Sequence, residues 1–160
     1  MNIFREDTKP TGSAGKLSCN ELFSKYGDML FRVCFSILLN QSDAEDALQE
    51  VFYKYITKSP ALGDLEHAKA WLLHVATNHC RDVLRRRKVR AYIGLDEIAE
   101  LPDEDALERY EMDEESGGVL KKLFALPEKY KTVMLLHYLE NQSIDTIAKS
   151  LRLSESAVKI

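Results

Sequence analysis

Ser42-Asp43-Ala44-Glu45-Asp46-Ala47-Leu48-Gln49-Glu50-Val51-Phe52-Tyr53-Lys54-Tyr55-Ile56 decides the fold. Ala44, Ala47, Leu48, Val51, Phe52, Tyr55 and Ile56 recur at helical spacing and make one apolar stripe. Ser42 and Glu45 fit a capping box, in which hydroxyl and carboxylate each satisfy an orphan backbone donor. Asp46, Gln49, Glu50 and Tyr53 fall together away from the stripe. Such a face is commonly no more than solvated surface. Read functionally, it suits docking on a basic or polar protein and is a poor contact for DNA.

The neighbouring segments repeat the pattern. Upstream, Ser18 and Glu21 fit another capping box, and Leu22, Phe23, Tyr26, Leu30, Val33, Cys34 and Ile37 predict a helix to about Leu39, with a break at Asn40-Gln41. Downstream, Ser59-Pro60-Ala61-Leu62-Gly63-Asp64 has loop chemistry. A third helix, from near Glu66, carries Ala68, Trp71, Leu72, Val75, Ala76, Cys80, Val83 and Leu84 on one side and closes in Arg85-Arg86-Arg87-Lys88-Val89-Arg90. The three stripes can bury one another as a small bundle over residues 18–90. No strand-like alternation occurs, so the fold class is all-α.

On the third helix Asn78, Arg81, Arg85 and Lys88 share one face, with Arg86 and Arg90 in a neighbouring row. A convergent cationic row suits phosphates, because each neutralised phosphate releases a counterion. Asn78 adds an amide that can read a base edge. The alternative is a solvated helix end, where cations are favoured by the helix dipole in any case.

The formal net charge of −4 hides a segregation. Between Gly94 and Gly118 eleven acids, among them Asp103, Glu104 and Asp105, face Arg109 alone, a local charge of −10, so the rest of the chain is +6. With Pro102 and Ser116-Gly117-Gly118, residues 91–118 read as an acidic linker that could hold only short helical pieces such as Ala106 to Met112. A second module is expected over 119–160. Pro127 suits a first helical turn. Tyr130, Val133, Met134, His137 and Tyr138 form a stripe, and Asn141-Gln142 breaks it. Ser143 then caps Ile144 to Leu151, with Ile147, Ala148 and Leu151 inward, and Ser154 caps a helix from Glu155 to Ile160. This is a helix-turn-helix pattern whose second helix is short, although a plain helical hairpin would read similarly.

Three widely spaced cysteines, Cys19, Cys34 and Cys80, match neither a disulfide framework nor a zinc pattern. His74 and His79 diverge on a helix, leaving only His79 with Asp82 on one face, too few for a metal site. No nucleophile triad, glycine-rich phosphate loop or paired-carboxylate motif is present, so neither a catalytic residue nor a cofactor is expected. No apolar run reaches the roughly 18 residues of a membrane span, and residues 1–17 read as a flexible tail rather than a secretory signal. A cytoplasmic protein without membrane insertion is expected.

The order and spacing of four elements resemble those of bacterial RNA polymerase sigma factors of the sigma-70 family, and of their small extracytoplasmic-function branch in particular. They are Asp43 to Phe52, Ala70-Trp71-Leu72-Leu73-His74-Val75-Ala76-Thr77-Asn78, Asp82-Val83-Leu84-Arg85-Arg86-Arg87, and Leu126-Pro127-Glu128-Lys129-Tyr130. The resemblance spans about Asn20 to Arg90 and Leu126 to Ile160. It implies a region 2-like domain that binds core RNA polymerase and opens the minus-10 element of promoter DNA, and a region 4-like helix-turn-helix for the minus-35 element. Asp46, Gln49, Glu50 and Tyr53 would then dock on the clamp coiled coil of the largest core subunit. Asn78 would help hold a flipped base, while Arg81, Arg85, Arg86, Arg87, Lys88 and Arg90 follow the backbone. Trp71 sits on the apolar stripe, so a polar pocket is favoured over an aromatic wedge. Ser154, Ser156 and Lys159 would start the major-groove helix. The family runs on past this point with further basic residues, so a truncated chain and impaired minus-35 recognition both stay open. An anti-sigma factor is the further partner implied. The rival readings are a stand-alone helix-turn-helix DNA-binding regulator and a helical adaptor that binds polymerase without opening DNA.

Overall fold

The structure, a computed structural model, describes residues 17–94, 122–123 and 125–159. The expected N-terminal tail up to Lys16, the acidic linker beyond Gly94 with its short helical pieces, and Ile160 lie outside the described residues.

Three long helices come first: α1 (Cys19–Leu38), α2 (Gln41–Lys58) and α3 (Leu65–Tyr92). The Ser18 amide donates to Glu21 Oε2 at 3.3 Å, as a capping box requires. The second expected box is replaced. Leu39 turns left-handed at φ 53° and ends α1, and Asn40 returns at once to extended backbone. Asn40 Oδ1 then accepts the Asp43 amide at 2.9 Å, so Asn40 rather than Ser42 caps α2 and the connection is only two residues long. Asp64 caps α3 in the same way, through the His67 amide at 2.8 Å. That hydrogen bond, and the His67 side chain, hold the Asp64 carboxyl below its ordinary range.

The three helices bury most of the stripes their sequences announce, although Phe23 of α1 is left exposed at 41%. Leu22, Leu30, Val33 and Cys34 of α1 meet Ala44, Ala47 and Val51 of α2 and Ala68, Leu72 and Ala76 of α3, all at most 1% exposed. Small residues at 44, 47, 68 and 76 let the helices approach closely. Two tyrosine hydroxyls tie the N-terminal edge: Tyr55 donates to the Leu17 carbonyl at 2.6 Å and Tyr26 to the Leu65 carbonyl at 3.2 Å. Burial raises the pKa of both phenols above the ordinary range. Trp71 is half-buried, edge-on to Tyr55 with ring centres 6.0 Å apart. Ile56 leaves the expected stripe and is half exposed, because it lies one turn beyond Tyr53 on the outer face.

The second helical group is α4 (Glu128–Met134), α5 (Ile144–Leu151) and α6 (Glu155–Val158). Pro127 stands just before α4 rather than inside its first turn. From Leu135 to Leu139 the backbone widens into a π turn, in which the Glu140 amide bonds the Leu135 carbonyl at 3.1 Å. The stripe expected through Tyr130, Val133, Met134, His137 and Tyr138 faces largely outward: Tyr130, Met134, His137 and Tyr138 are exposed, while Lys131, Thr132, Leu135 and Leu136 are buried. Val133-Met134-Leu135-Leu136 is apolar all round, so periodicity alone offers two faces and packing selects one. Ser143 and Ser154 cap α5 and α6 as expected, accepting from Thr146 and Ala157 at 3.1 and 3.2 Å. Ile147, Ala148 and Leu151 are buried.

This second group does not stand apart. α5 packs against α3, and α4 with its π turn packs against α1. Leu136, Ile147, Ala148, Leu151 and Val158 join the same apolar cluster as the bundle core. No helix among the described residues is long and apolar enough to cross a membrane.

Candidate nucleic-acid interface

The polar side of α2 is open. Asp46, Gln49 and Tyr53 are exposed, Tyr53 at 63%, and Glu50 is half-buried beside Lys54 at 3.5 Å. The stripe beneath holds this face rigidly on the bundle. With Tyr53 and Ile56 exposed side by side, it offers an aromatic and aliphatic centre rimmed by carboxylates. That composition resembles the middle of a protein contact more than a nucleic-acid contact.

The row on α3 is equally rigid, since Leu72, Leu73, Ala76 and Cys80 anchor the helix at 0% exposure. Asn78, Arg85 and Lys88 are exposed and Arg81 is half-buried on the same side. Asp82 lies among these cations. It pairs with Arg85 at 3.1 Å, and its backbone carbonyl accepts Arg86 Nε at 3.3 Å. These exposed interactions are weak and yield easily to a phosphate. Arg90 is exposed one turn beyond Arg86.

Arg87 is different. About 180° around the helix from Asn78, it reaches back to the α1–α2 corner, where it pairs with Asp43 and donates to the Leu38 carbonyl at 3.3 Å. The carbonyl belongs to the last turn of α1, where intrahelical partners run out. Arg87 therefore fastens the bundle, and the row presented outward is Asn78, Arg81, Arg85 and Lys88, flanked by Arg86 and Arg90. The run of consecutive cations concealed this division; the 100° step of a helix contained it.

Two further residues acquire importance from the fold. His74 sits one turn before Asn78, and its Nε2 lies 2.9 Å from Asn78 Nδ2. The spacing from 74 to 78 was the available signal. His79 lies between α2 and α3, where burial first, then the charge of Lys54, lowers its pKa from the ordinary value.

At the far end, Ser154, Ser156 and Lys159 are exposed around the start of α6. Ser154 Oγ is occupied by the cap and by Ser156 Oγ at 3.1 Å, and Lys159 pairs with Glu155 at 3.5 Å.

Two family models match this chain in order: Sigma-70 region 2 over residues 22–90, and Sigma-70, region 4 over residues 119–160. Relatives include the ECF RNA polymerase sigma factor SigW of Bacillus subtilis, 28% identical over 147 residues that cover 84% of this chain and 77% of SigW. The same organism's ECF sigma factor SigX is 26% identical, covering 86% of this chain and 74% of SigX. The ECF sigma factor SigE of Mycolicibacterium smegmatis is 28% identical, over 89% of this chain and 56% of SigE. The chain belongs to the sigma-70 family of RNA polymerase sigma factors, in its extracytoplasmic-function branch. As such it is a transcription initiation factor that directs RNA polymerase to promoters. In this sigma factor the region 2 match encloses the α2 face and the α3 row, and the region 4 match encloses α4 to α6.

Proposed function

We propose that α1–α3 form the unit that grips core RNA polymerase and opens the minus-10 element, with the two tasks on separate faces. Asp46, Gln49, Glu50 and Tyr53 on α2 carry polymerase docking. Asn78 holds a base displaced from the duplex, and Arg81, Arg85, Arg86, Lys88 and Arg90 follow the phosphates. α4 to α6 form the unit that contacts the minus-35 element, with Ser154, Ser156 and Lys159 at the duplex. The sigma factor works in the cytoplasm, without chemistry of its own, and an anti-sigma factor is its expected restraining partner.

The observation that carries this reading is the division of charge between two rigid faces: carboxylates around Tyr53 on α2, cations around Asn78 on α3. A surface mixing both signs would suit neither partner. The test is capture of purified core RNA polymerase by the 160-residue chain without DNA, followed by promoter binding of the assembled complex. Gln49→Ala with Glu50→Ala should reduce capture. Arg85→Ala with Arg86→Ala should leave capture intact, weaken DNA binding, and lower the slope of log K against log salt by about 1.8 for two lost phosphate contacts. Equal loss of both activities from both variants would overturn the division. No capture together with tight duplex binding would instead make the chain a stand-alone helix-turn-helix regulator.

A further inference from the structure

We infer that Arg87 is a positioning residue for DNA: it touches no phosphate itself, and its fork on Asp43 and the Leu38 carbonyl fixes the direction in which Arg85, Arg86, Lys88 and Arg90 point. This rests on the role proposed above for the α3 row. It gives a separate task to a cation that the family resemblance would place on the DNA backbone.

The need for such a hold arises where the core stops. Cys80 is the last fully buried residue of α3, and the helix runs on to Tyr92, about 18 Å further at 1.5 Å per residue. Val83 and Leu84 are half-buried against the common core. Beyond them Arg87 is the last side chain of α3 that is not exposed. Arg85, Arg86, Lys88 and Arg90 all lie within three positions of it. A helix end leaves its last carbonyls without partners and frays unless something outside the helix holds it.

Arg87 has the chemistry to hold it. Its Nη2 pairs with Asp43, while Nη1 donates to the Leu38 carbonyl at 3.3 Å. The two acceptors belong to different helices but to one stiff corner. There the Leu39 amide bonds the Phe35 carbonyl at 2.7 Å, and Asn40 Oδ1 fixes the Asp43 amide at 2.9 Å. A planar fork on two fixed acceptors sets a direction as well as a distance, which an ammonium on a flexible stem does not. The Arg87 and Asp43 side chains are 28% and 30% exposed, against 75% and 54% for Arg85 and Asp82. The screened outer pair yields to a phosphate, and the half-buried inner pair is retained. Helical phase agrees. At 100° per residue Asn78, Arg81, Arg85 and Lys88 fall within an arc of about 80°, and Arg87 lies about 140° from its middle. A strand lying on the row cannot reach Arg87 while the fork is made.

Releasing the fork leaves every phosphate contact available but lets the end of α3 sample directions in which those contacts do not converge. Apparent affinity then falls with the fraction of chains whose row is aligned. The number of phosphates neutralised in the complex, which sets the slope of log K against log salt, does not change. Asp43 supplies the decisive sign. Neutralising a carboxylate favours DNA on charge alone, so a loss of binding on Asp43→Asn can come only through position.

The experiment compares the full chain with Arg87→Gln, Arg87→Lys, Asp43→Asn, the double variant Asp43→Asn with Arg87→Gln, and Arg85→Ala, each checked for unchanged helicity by circular dichroism. Complexes with saturating core RNA polymerase are titrated, at several salt concentrations, with a labelled mixed-sequence duplex carrying a single-stranded tail, and the titration is repeated with the free chain. Arg87→Gln and Asp43→Asn should each weaken binding about three- to tenfold at unchanged salt slope. The double variant should lose no more than either single one, because the same link is broken in each. Arg87→Lys should recover part of the loss. Arg85→Ala should instead lower the slope by about 0.7–0.9. Hydrogen exchange should accelerate over residues 85–92 in Arg87→Gln while residues 68–80 keep their protection. Tighter or unchanged binding in Asp43→Asn, or a slope lowered by Arg87→Gln as much as by Arg85→Ala, would make Arg87 a phosphate contact and overturn the proposal. Unchanged exchange over 85–92 would overturn it too. Failure of the function proposed above shows separately: the wild type would capture no polymerase, while the free-chain titration and the exchange pattern would persist.

Discussion

In α1 to α3 the helices are 20, 18 and 28 residues long and meet along their own apolar stripes. In α4 to α6 they are 7, 8 and 4 residues long and complete their burial on α1 and α3. Short helices gain little from cooperativity, so their stability comes from packing against something larger. The first group supplies its own surface for that purpose, whereas the second borrows one. A chain built this way can keep α1 to α3 folded when the smaller group is loosened.

The sharpest way to break this comparison is to damage each group in turn. Leu72→Ala removes a fully buried side chain at the centre of the bundle, and should cost about 3–4 kcal/mol and lower the melting temperature of the whole chain. Ile147→Ala should cost about 2–3 kcal/mol by the same mechanism. Its effect should be local: hydrogen exchange should accelerate in α5 and α6 while α1 to α3 keep their protection. Uniform loss of protection would mean that the second group is an integral part of the bundle, and the contrast would fail.

A smaller effect tests the tight corner that orients α2. Asn40→Ala deletes the side-chain acceptor for the Asp43 amide and should cost about 1 kcal/mol, read as a shift in urea midpoint at unchanged slope. Ser42→Ala should change almost nothing, which distinguishes the observed cap from the one expected from sequence.

The smallest expected effect concerns pH. Burial favours neutral His79 in the fold, so the unfolded chain binds more protons there below the ordinary histidine range. Its contribution to stability should be constant above that range and decline as pH falls from the ordinary value toward the lowered folded one. Denaturation midpoints at neutral and mildly acidic pH should therefore differ less in His79→Gln than in wild type. An unchanged pH dependence would remove His79 from the account.

Much of this was legible in the linear chain, and the reasons are local. The stripe through Ala44, Ala47, Val51 and Phe52 allowed one inward face, and the structure buries it. Ser143 and Ser154 could be read as caps because a hydroxyl two or three residues before orphan amides has little else to do. The polar faces of α2 and α3 followed from the same periodicity, whereas the family resemblance lay in the motifs themselves and their order. Ile56 and the stripe from Tyr130 to Tyr138 were misplaced because an apolar side chain satisfies a helical pattern without being covered. Covering depends on which neighbour arrives.

The sequence by itself determined which segments are helical, which residues share a face, and the opposition of acidic α2 to basic α3, since all of these follow from neighbours within a few positions. Only the tertiary structure decided that Arg87 turns inward to Asp43 and Leu38, that Leu136 rather than Met134 is buried, and that α5 lies on α3 with His74 between Ser150 and Asn78. Each of those outcomes rests on partners distant in the chain. Local spacing can offer a face to such a partner, but the partner's position sets which face is used.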